Sequence, residues 1–154
     1  MVKPLRQLFV TAGQAFHWFN PALARAELRR ILKPEGWVVL IWNTRHEQSP
    51  FMAAFEALLK QYAIGYRETK QTRSHERIPR FLGDEPAVGE FPNEQLFDWD
   101  GLLGRSLSSS YAPLPGHPAY ELLQDGLRQL FEQFAENGRI RFSYVTRVYY
   151  GRFQ

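Results

Sequence analysis

The chain has 154 residues, of which 44% are apolar and 23% charged, with a formal net charge of +3. That mix is globular, excludes disorder for the bulk of the chain, and suits one domain at this length. The absence of cysteine excludes disulfides, thiol nucleophiles and cysteine-type zinc sites.

The longest uncharged apolar run, Trp37 to Trp42, is far shorter than the roughly 20 residues needed to span a bilayer. Met1-Val2-Lys3-Pro4 does not open a signal peptide. The expectation is a soluble, cytoplasmic protein with no membrane partner. The slight basic excess argues against a duplex nucleic acid partner, which needs a clustered positive face.

In chain order, Leu8 to Ala12 reads as a short buried strand ended by Gly13. Gln14 to Phe19 is an aromatic loop or short turn. Asn20-Pro21 opens a helix, with Asn as cap and Pro at the first turn. The helix runs to about Leu32, with Ala24, Leu28, Ile31 and Leu32 on the apolar face and Arg25, Arg29 and Arg30 toward water. Lys33-Pro34-Glu35-Gly36 ends it and feeds a second strand, Trp37 to Trp42, apolar on both faces. Strand, helix, strand at this spacing predicts a parallel βαβ unit.

Asn43 to Glu47 reads as the polar loop at that strand's carboxyl end. Ser49-Pro50 caps a helix that buries Phe51, Phe55, Leu58, Leu59 and Tyr62. Ile64 to Arg80, studded with Arg67, Lys70, Arg73, Arg77 and Arg80, reads as a loop or a loosely packed helix. Val88 to Trp99 predicts one or two short strands around a Pro92-Asn93 turn. Asp100 is read as the cap of a short helix through Leu103 and Leu107, followed by a loop from Ser108 to Pro113. His117-Pro118 starts the strongest helix, lined by Leu123, Leu127, Leu130, Phe131 and Phe134 and stopped by Asn137-Gly138. Ile140, Phe142, Tyr144, Thr146, Val148 and Tyr150 then alternate with their neighbours as a long antiparallel last strand.

The four histidines, at 17, 46, 75 and 117, have no metal-ligand spacing. No nucleophile elbow, Walker loop or dinucleotide fingerprint is present. The Ser106 to Ser110 cluster suits loop hydrogen bonds, and the Arg67 to Arg80 stretch suits either a solvated face or an anion. In an open α/β sheet, ligands bind outside the carboxyl ends of the strands. Gln14, Ala15, His17 and Trp18 take that place after the first strand, and Trp42, Asn43 and Arg45 after the second. Two readings stay open there: a crevice for a flat or charged organic ligand, or half-buried caps on the sheet.

Gln14-Ala15-Phe16-His17-Trp18-Phe19, Leu32-Lys33-Pro34-Glu35-Gly36-Trp37 and Leu40-Ile41-Trp42-Asn43 resemble the second half of class I S-adenosylmethionine-dependent methyltransferases. The similarity is to the small-molecule branch with the trans-aconitate and ubiquinone/menaquinone-type enzymes. Leu102 to Arg105, Ser108 to Pro113 and Tyr144 to Gly151 resemble that branch as well. The resemblance implies an α/β fold, the second half of a Rossmann-like sheet, mostly parallel with an antiparallel last strand. It implies in-line methyl transfer from S-adenosylmethionine to a small organic molecule. It places Gln14, Ala15, His17 and Trp18 beside the cofactor's methionine part, and Trp42, Asn43, Arg45 and Tyr111 toward the substrate. Histidine titrates near neutrality, so His17 is the candidate proton acceptor.

The family's glycine-rich loop and ribose-binding acid precede the strand that matches Leu8 to Ala12. Leu8 stands where the family often has Asp, and Glu35 where it has Gly. The expectation is therefore one partial domain over 1–154, weak or inactive alone. Its open first-strand edge would pair with a second copy or with the missing N-terminal half. The alternative is a non-catalytic interaction protein that pairs through that edge.

Overall fold

The computed structural model describes residues 6–46, 48–66, 77–83 and 86–152. Four strands form one mixed sheet: β1 (Gln7–Gly13), β2 (Leu32–Arg45), β3 (Ala87–Phe97) and β4 (Ile140–Arg152), in the order β1-β2-β4-β3. Five helices accompany them among the described residues: α1 (Pro21–Ile31), α2 (Pro50–Tyr62), α3 (Ile78–Leu82), α4 (Trp99–Leu107) and α5 (Ala119–Phe134).

The fold is α/β, as expected. The mostly parallel sheet is a correction: β1 and β2 are parallel, and the other pairings are antiparallel. The final strand is antiparallel, as its alternation predicts. The hairpin-like turn before it explains how the chain reverses so soon after α5. Asn137 and Gly138 both have positive φ (50° and 71°), and Glu136 and Arg139 exchange two backbone hydrogen bonds across them. That is the geometry Asn-Gly favours.

The chain divides into two compact units. The first holds residues 1–44, 72–91 and 146–154, and the second 45–71 and 92–145. Strands β2, β3 and β4 each contribute to both.

In the first unit, Phe16, Leu28, Leu32, Val38, Leu40, Ile78, Phe81, Leu82 and Tyr149 form the core. Asn20 caps α1 as its sequence predicts, its Oδ1 accepting from the backbone N–H of Ala22 and Leu23 at 3.1 and 3.2 Å. Arg25 does not simply face water: its Nη1 donates to the carbonyl of Phe81 at 3.1 Å. The β1–β2 pairing slips between Gln7 and Phe9, where Lys33 to Gly36 bulge out of register. Gly36 is needed there, since a Cβ would sit 2.8 Å from Leu32 Cδ2 and 2.9 Å from the Lys33 carbonyl. Strand β1 is not buried: it ends the sheet, and Leu8 and Phe9 are 45% and 62% exposed.

In the second unit, Phe51, Met52, Phe55, Leu59, Tyr66, Leu102, Leu123, Leu127, Ile140, Phe142 and Tyr144 form the core. Ser49 caps α2 through its Oγ to Met52 N at 3.2 Å. Asp98, not Asp100, caps α4, accepting from Gly101 N at 2.9 Å. Asp100 lies in the first turn, where a carboxylate suits the helix dipole. Phe142 sits at the centre of an aromatic cluster, 5.0 Å from Phe55 and 5.2 Å from Tyr144 between ring centres.

Three strand expectations change. Asn43 to Arg45 extend β2 instead of opening a loop. Ala87 to Phe97 is one strand, and its Pro92 is tolerated because β3 is an edge strand. In β4 the buried positions are 140, 142 and 144 and then 149, so Tyr150 is exposed where strict alternation would bury it. The Arg67 to Lys70 and Arg73 positions of the basic stretch lie outside the described residues; Arg77 and Arg80 are exposed.

Candidate functional site

The sequence-predicted residues fall into two groups, one in each unit. The first grows from the end of β1. Gln14 adopts a left-handed backbone (φ 51°), a conformation that costs a non-glycine residue about 1 kcal/mol or more. Two bonds hold it there. Its N–H donates to the Ile41 carbonyl at 3.0 Å, and its Nε2 donates to the Asn43 carbonyl at 3.2 Å. The turn then lets Ala15 lead into a 3₁₀ turn, Phe16–Trp18.

Phe16 anchors that turn in the core, 4.7 Å from Phe81 between ring centres. The next two residues are thereby left outside. His17 lies 4.6 Å from the ring of Trp18 and meets Trp42 edge-on at 5.4 Å. Trp18 is 79% exposed. Asn43 is fixed on its other side, its Oδ1 accepting from Thr146 Oγ1 at 2.7 Å. The structure therefore brings Gln14, His17, Trp18, Trp42 and Asn43 together, with Ala15 as the backbone link.

The second group centres on Arg45. Its Nη2 donates to the Tyr66 hydroxyl at 2.5 Å and its Nη1 to the Tyr111 hydroxyl at 3.2 Å. The Tyr66 hydroxyl donates in turn to Glu56 Oε2 at 2.5 Å. Glu56 also lies 3.9 Å from Arg45 Nη2 and 3.8 Å from Lys60 Nζ. The side chains of Arg45 and Glu56 are 9% and 4% exposed. The rings of Phe55, Tyr66 and Tyr111 surround the guanidinium at 5.5 to 6.0 Å, the outer range of cation–π attraction. The carbonyl of Tyr111 accepts from Ile64 N at 2.8 Å, which ties its loop to the end of α2.

Burial pushes the Tyr66 hydroxyl well above the ordinary phenol range, and its bond to Glu56 adds to the rise. It stays protonated and acts as a fixed donor to the carboxylate. Burial works against the charge on Arg45, but the phenols of Tyr111 and Tyr66 together with Glu56 outweigh it.

Glu56 and Tyr66 are additions to the sequence-predicted set. One signal for Glu56 was available. It falls on the same helical stripe as Met52, Phe55 and Leu59, where a carboxylate is almost never placed without a partner. Among the described residues, no three His, Asp or Glu gather as a metal site, and no helix is long and apolar enough to cross a membrane.

A sulfonium or other cation is attracted to the face of an indole. The exposed Trp18 and the Trp42 ring beside His17 offer such faces, and the Gln14 turn presents backbone polar groups next to them. These residues fit the methionine part of S-adenosylmethionine.

No family model matches the chain. Over about a third of its length it is similar to methyltransferases. It is 42% identical over 52 residues to the uncharacterized methyltransferase C25B8.09 of Schizosaccharomyces pombe, covering 34% of this chain and 21% of that protein. It is 49% identical over 39 residues to the uncharacterized methyltransferase Rv3342 of Mycobacterium tuberculosis, covering 25% of this chain and 16% of that protein. The chain thus spans about a fifth of the curated relatives it matches. A candidate type II methyltransferase from Anaeromyxobacter dehalogenans shares the fold: TM-score 0.65, 18% identity, 99% of this chain and 67% of that one. The plantazolicin methyltransferase BpumL, solved with SAH, superposes at a TM-score of only 0.27.

Proposed function

We propose that this chain is a methyltransferase-like protein whose reaction is S-adenosylmethionine-dependent methyl transfer to a small organic molecule. The observation that carries the reading is the strained Gln14 turn at the end of β1, which sets His17 and Trp18 beside Trp42. The cofactor supplies the activated methyl group. Gln14, Ala15, His17 and Trp18 bind its methionine part, and Trp42, Asn43, Arg45 and Tyr111 orient the acceptor. His17 takes the proton from the acceptor. Positioning of the two reactants does most of the work in such a transfer. The sequence carries no glycine-rich phosphate or ribose loop, so affinity for the cofactor is weak.

Calorimetric titration of the folded chain with S-adenosylmethionine tests this. The expected result is weak, saturable heat that Trp18→Ala abolishes. No heat from a folded sample would overturn the reading. It would favour a non-catalytic interaction protein, for which the exposed Leu8 and Phe9 on the terminal strand β1 are the favouring observation.

A further inference from the structure

We propose that Arg45 and Tyr111 form a binding site for the carboxylate of a small, flat organic acid, with Tyr66 and Glu56 as positioning residues that hold the guanidinium for it. This names the substrate class of the reading above and rests on it only in taking the bound acid as the methyl acceptor.

The argument starts from charge. A guanidinium nine-tenths buried has lost most of its hydration, and that loss needs an anion or several good acceptors to offset it. Its two hydrogen-bond partners are neutral phenols. The one carboxylate near it, Glu56, is 3.9 Å away, beyond hydrogen-bond reach, and is engaged by the Tyr66 hydroxyl and approached by Lys60. Among the described residues, Arg45, Lys60 and Glu56 together leave one positive charge in the cluster. A monoanion would balance it.

The donors have the matching geometry. Tyr111 accepts from Arg45 through its oxygen, so its own proton is left to donate outward. Arg45 has five N–H donors and spends two on the phenols. A guanidinium N–H and a phenol O–H side by side suit the two oxygens of a carboxylate. The rings of Phe55, Tyr66 and Tyr111 around the guanidinium supply walls for a flat apolar body. Tyr66 fills a different role. Its proton is committed to Glu56, and its oxygen to Arg45, so it fixes the fork without having a donor left for a ligand.

Sodium benzoate is the probe, with benzamide as its neutral isostere and sodium chloride at matched ionic strength. Isothermal titration of the folded full chain reads affinity without any cofactor. The expected result is saturable benzoate binding, with benzamide and chloride giving none. Tyr111→Phe should weaken benzoate roughly fivefold, the share of one hydrogen bond. Arg45→Lys should weaken it by about tenfold or more, because a lysine keeps the charge and loses the fork. If Arg45→Lys fails to fold, Tyr111→Phe decides. Absence of saturable benzoate binding at tens of millimolar, equal binding of benzamide, or an unchanged affinity in Tyr111→Phe overturns the proposal. Titration of the same sample with S-adenosylmethionine separates the two failures: heat with that cofactor and none with benzoate sinks the acid site alone, and the converse sinks methyl transfer alone.

Discussion

Glu56→Gln is the sharpest perturbation of the buried cluster. It keeps the side chain's volume and its acceptor for the Tyr66 hydroxyl, and it removes only the charge. In the wild-type protein the carboxylate lies 3.9 Å from Arg45 Nη2 and 3.8 Å from Lys60 Nζ. Two unit charges about 4 Å apart attract by about 4 kcal/mol at an effective dielectric of about 20. Lys60 is half-exposed and regains water, so its pair is worth a few tenths of a kcal/mol. The amide also escapes part of the carboxylate's burial cost, which offsets some of the Arg45 loss. Breaking a close buried pair costs about 3–5 kcal/mol, and this pair is a long one bridged by a phenol. The expected net loss is therefore about 2 kcal/mol. Urea unfolding followed by tryptophan fluorescence measures it. Tyr66→Phe should cost about 1.5 kcal/mol or more, the worth of a bond to a charged group. The double variant should cost at least about 1 kcal/mol less than the sum, since the two residues share one network. A loss for Glu56→Gln within about 0.5 kcal/mol of zero would refute the charge argument, because surface substitutions reach that much by themselves.

Other outcomes follow from the same geometry. Gly126→Ala should destabilise by about 1–2 kcal/mol despite alanine's better helix propensity, because its Cβ would lie 2.3 Å from Leu58 Cδ1; truncating Leu58 to alanine should make the second change neutral or stabilising in the same urea assay. Tyr66 holds its proton more tightly folded than unfolded, so its contribution is complete below the unfolded phenol's pKa of about 10 and is lost as pH rises beyond that. Thermal melts should therefore fall more steeply above that pH in the wild type than in Tyr66→Phe. If the β1 edge pairs two copies, sedimentation should show a dimer at micromolar concentration, and Phe9→Lys should return it to monomer; a wild-type monomer would remove that reading.

Much of the fold was legible because its signals are local. Asn20-Pro21 and Ser49-Pro50 announce helix starts that a side-chain oxygen then caps. Asn137-Gly138 marks a reversal that only its backbone freedom allows. The misread elements depend on neighbours. Whether Leu8 and Phe9 are covered is decided by what lies beyond β1, and the apolar pattern is the same for an edge strand as for a central one. Pro92 reads as a strand breaker until β3 is known to be an edge. The choice between Asp98 and Asp100 as cap turns on where Trp99 begins its helix, a shift of two residues that periodicity does not resolve.

The candidate site divides in the same way. Gln14 to Trp18 is contiguous, so a single turn delivers all of it, and the sequence order of its residues is also their order in space. The Arg45 cluster joins positions 45, 56, 66 and 111, separations at which only tertiary packing can bring side chains together. Arg45 and Tyr111 could be picked out by resemblance, each beside a recognisable motif. Tyr66 stands at the edge of a basic, aperiodic stretch and carries no pattern of its own. Glu56 does carry one, as the lone carboxylate on the buried stripe of α2. A buried acid demands a partner. The sequence therefore contained the demand for Arg45 and Tyr66, and the fold supplied their identities. That Glu56 then hands its hydrogen bond to Tyr66 and leaves the guanidinium short of an anion is a property of the packed cluster. It is also the reason the cluster is better explained by recognition of an acid than by stability alone: a core needing only cohesion gains nothing from a guanidinium that apolar side chains could replace.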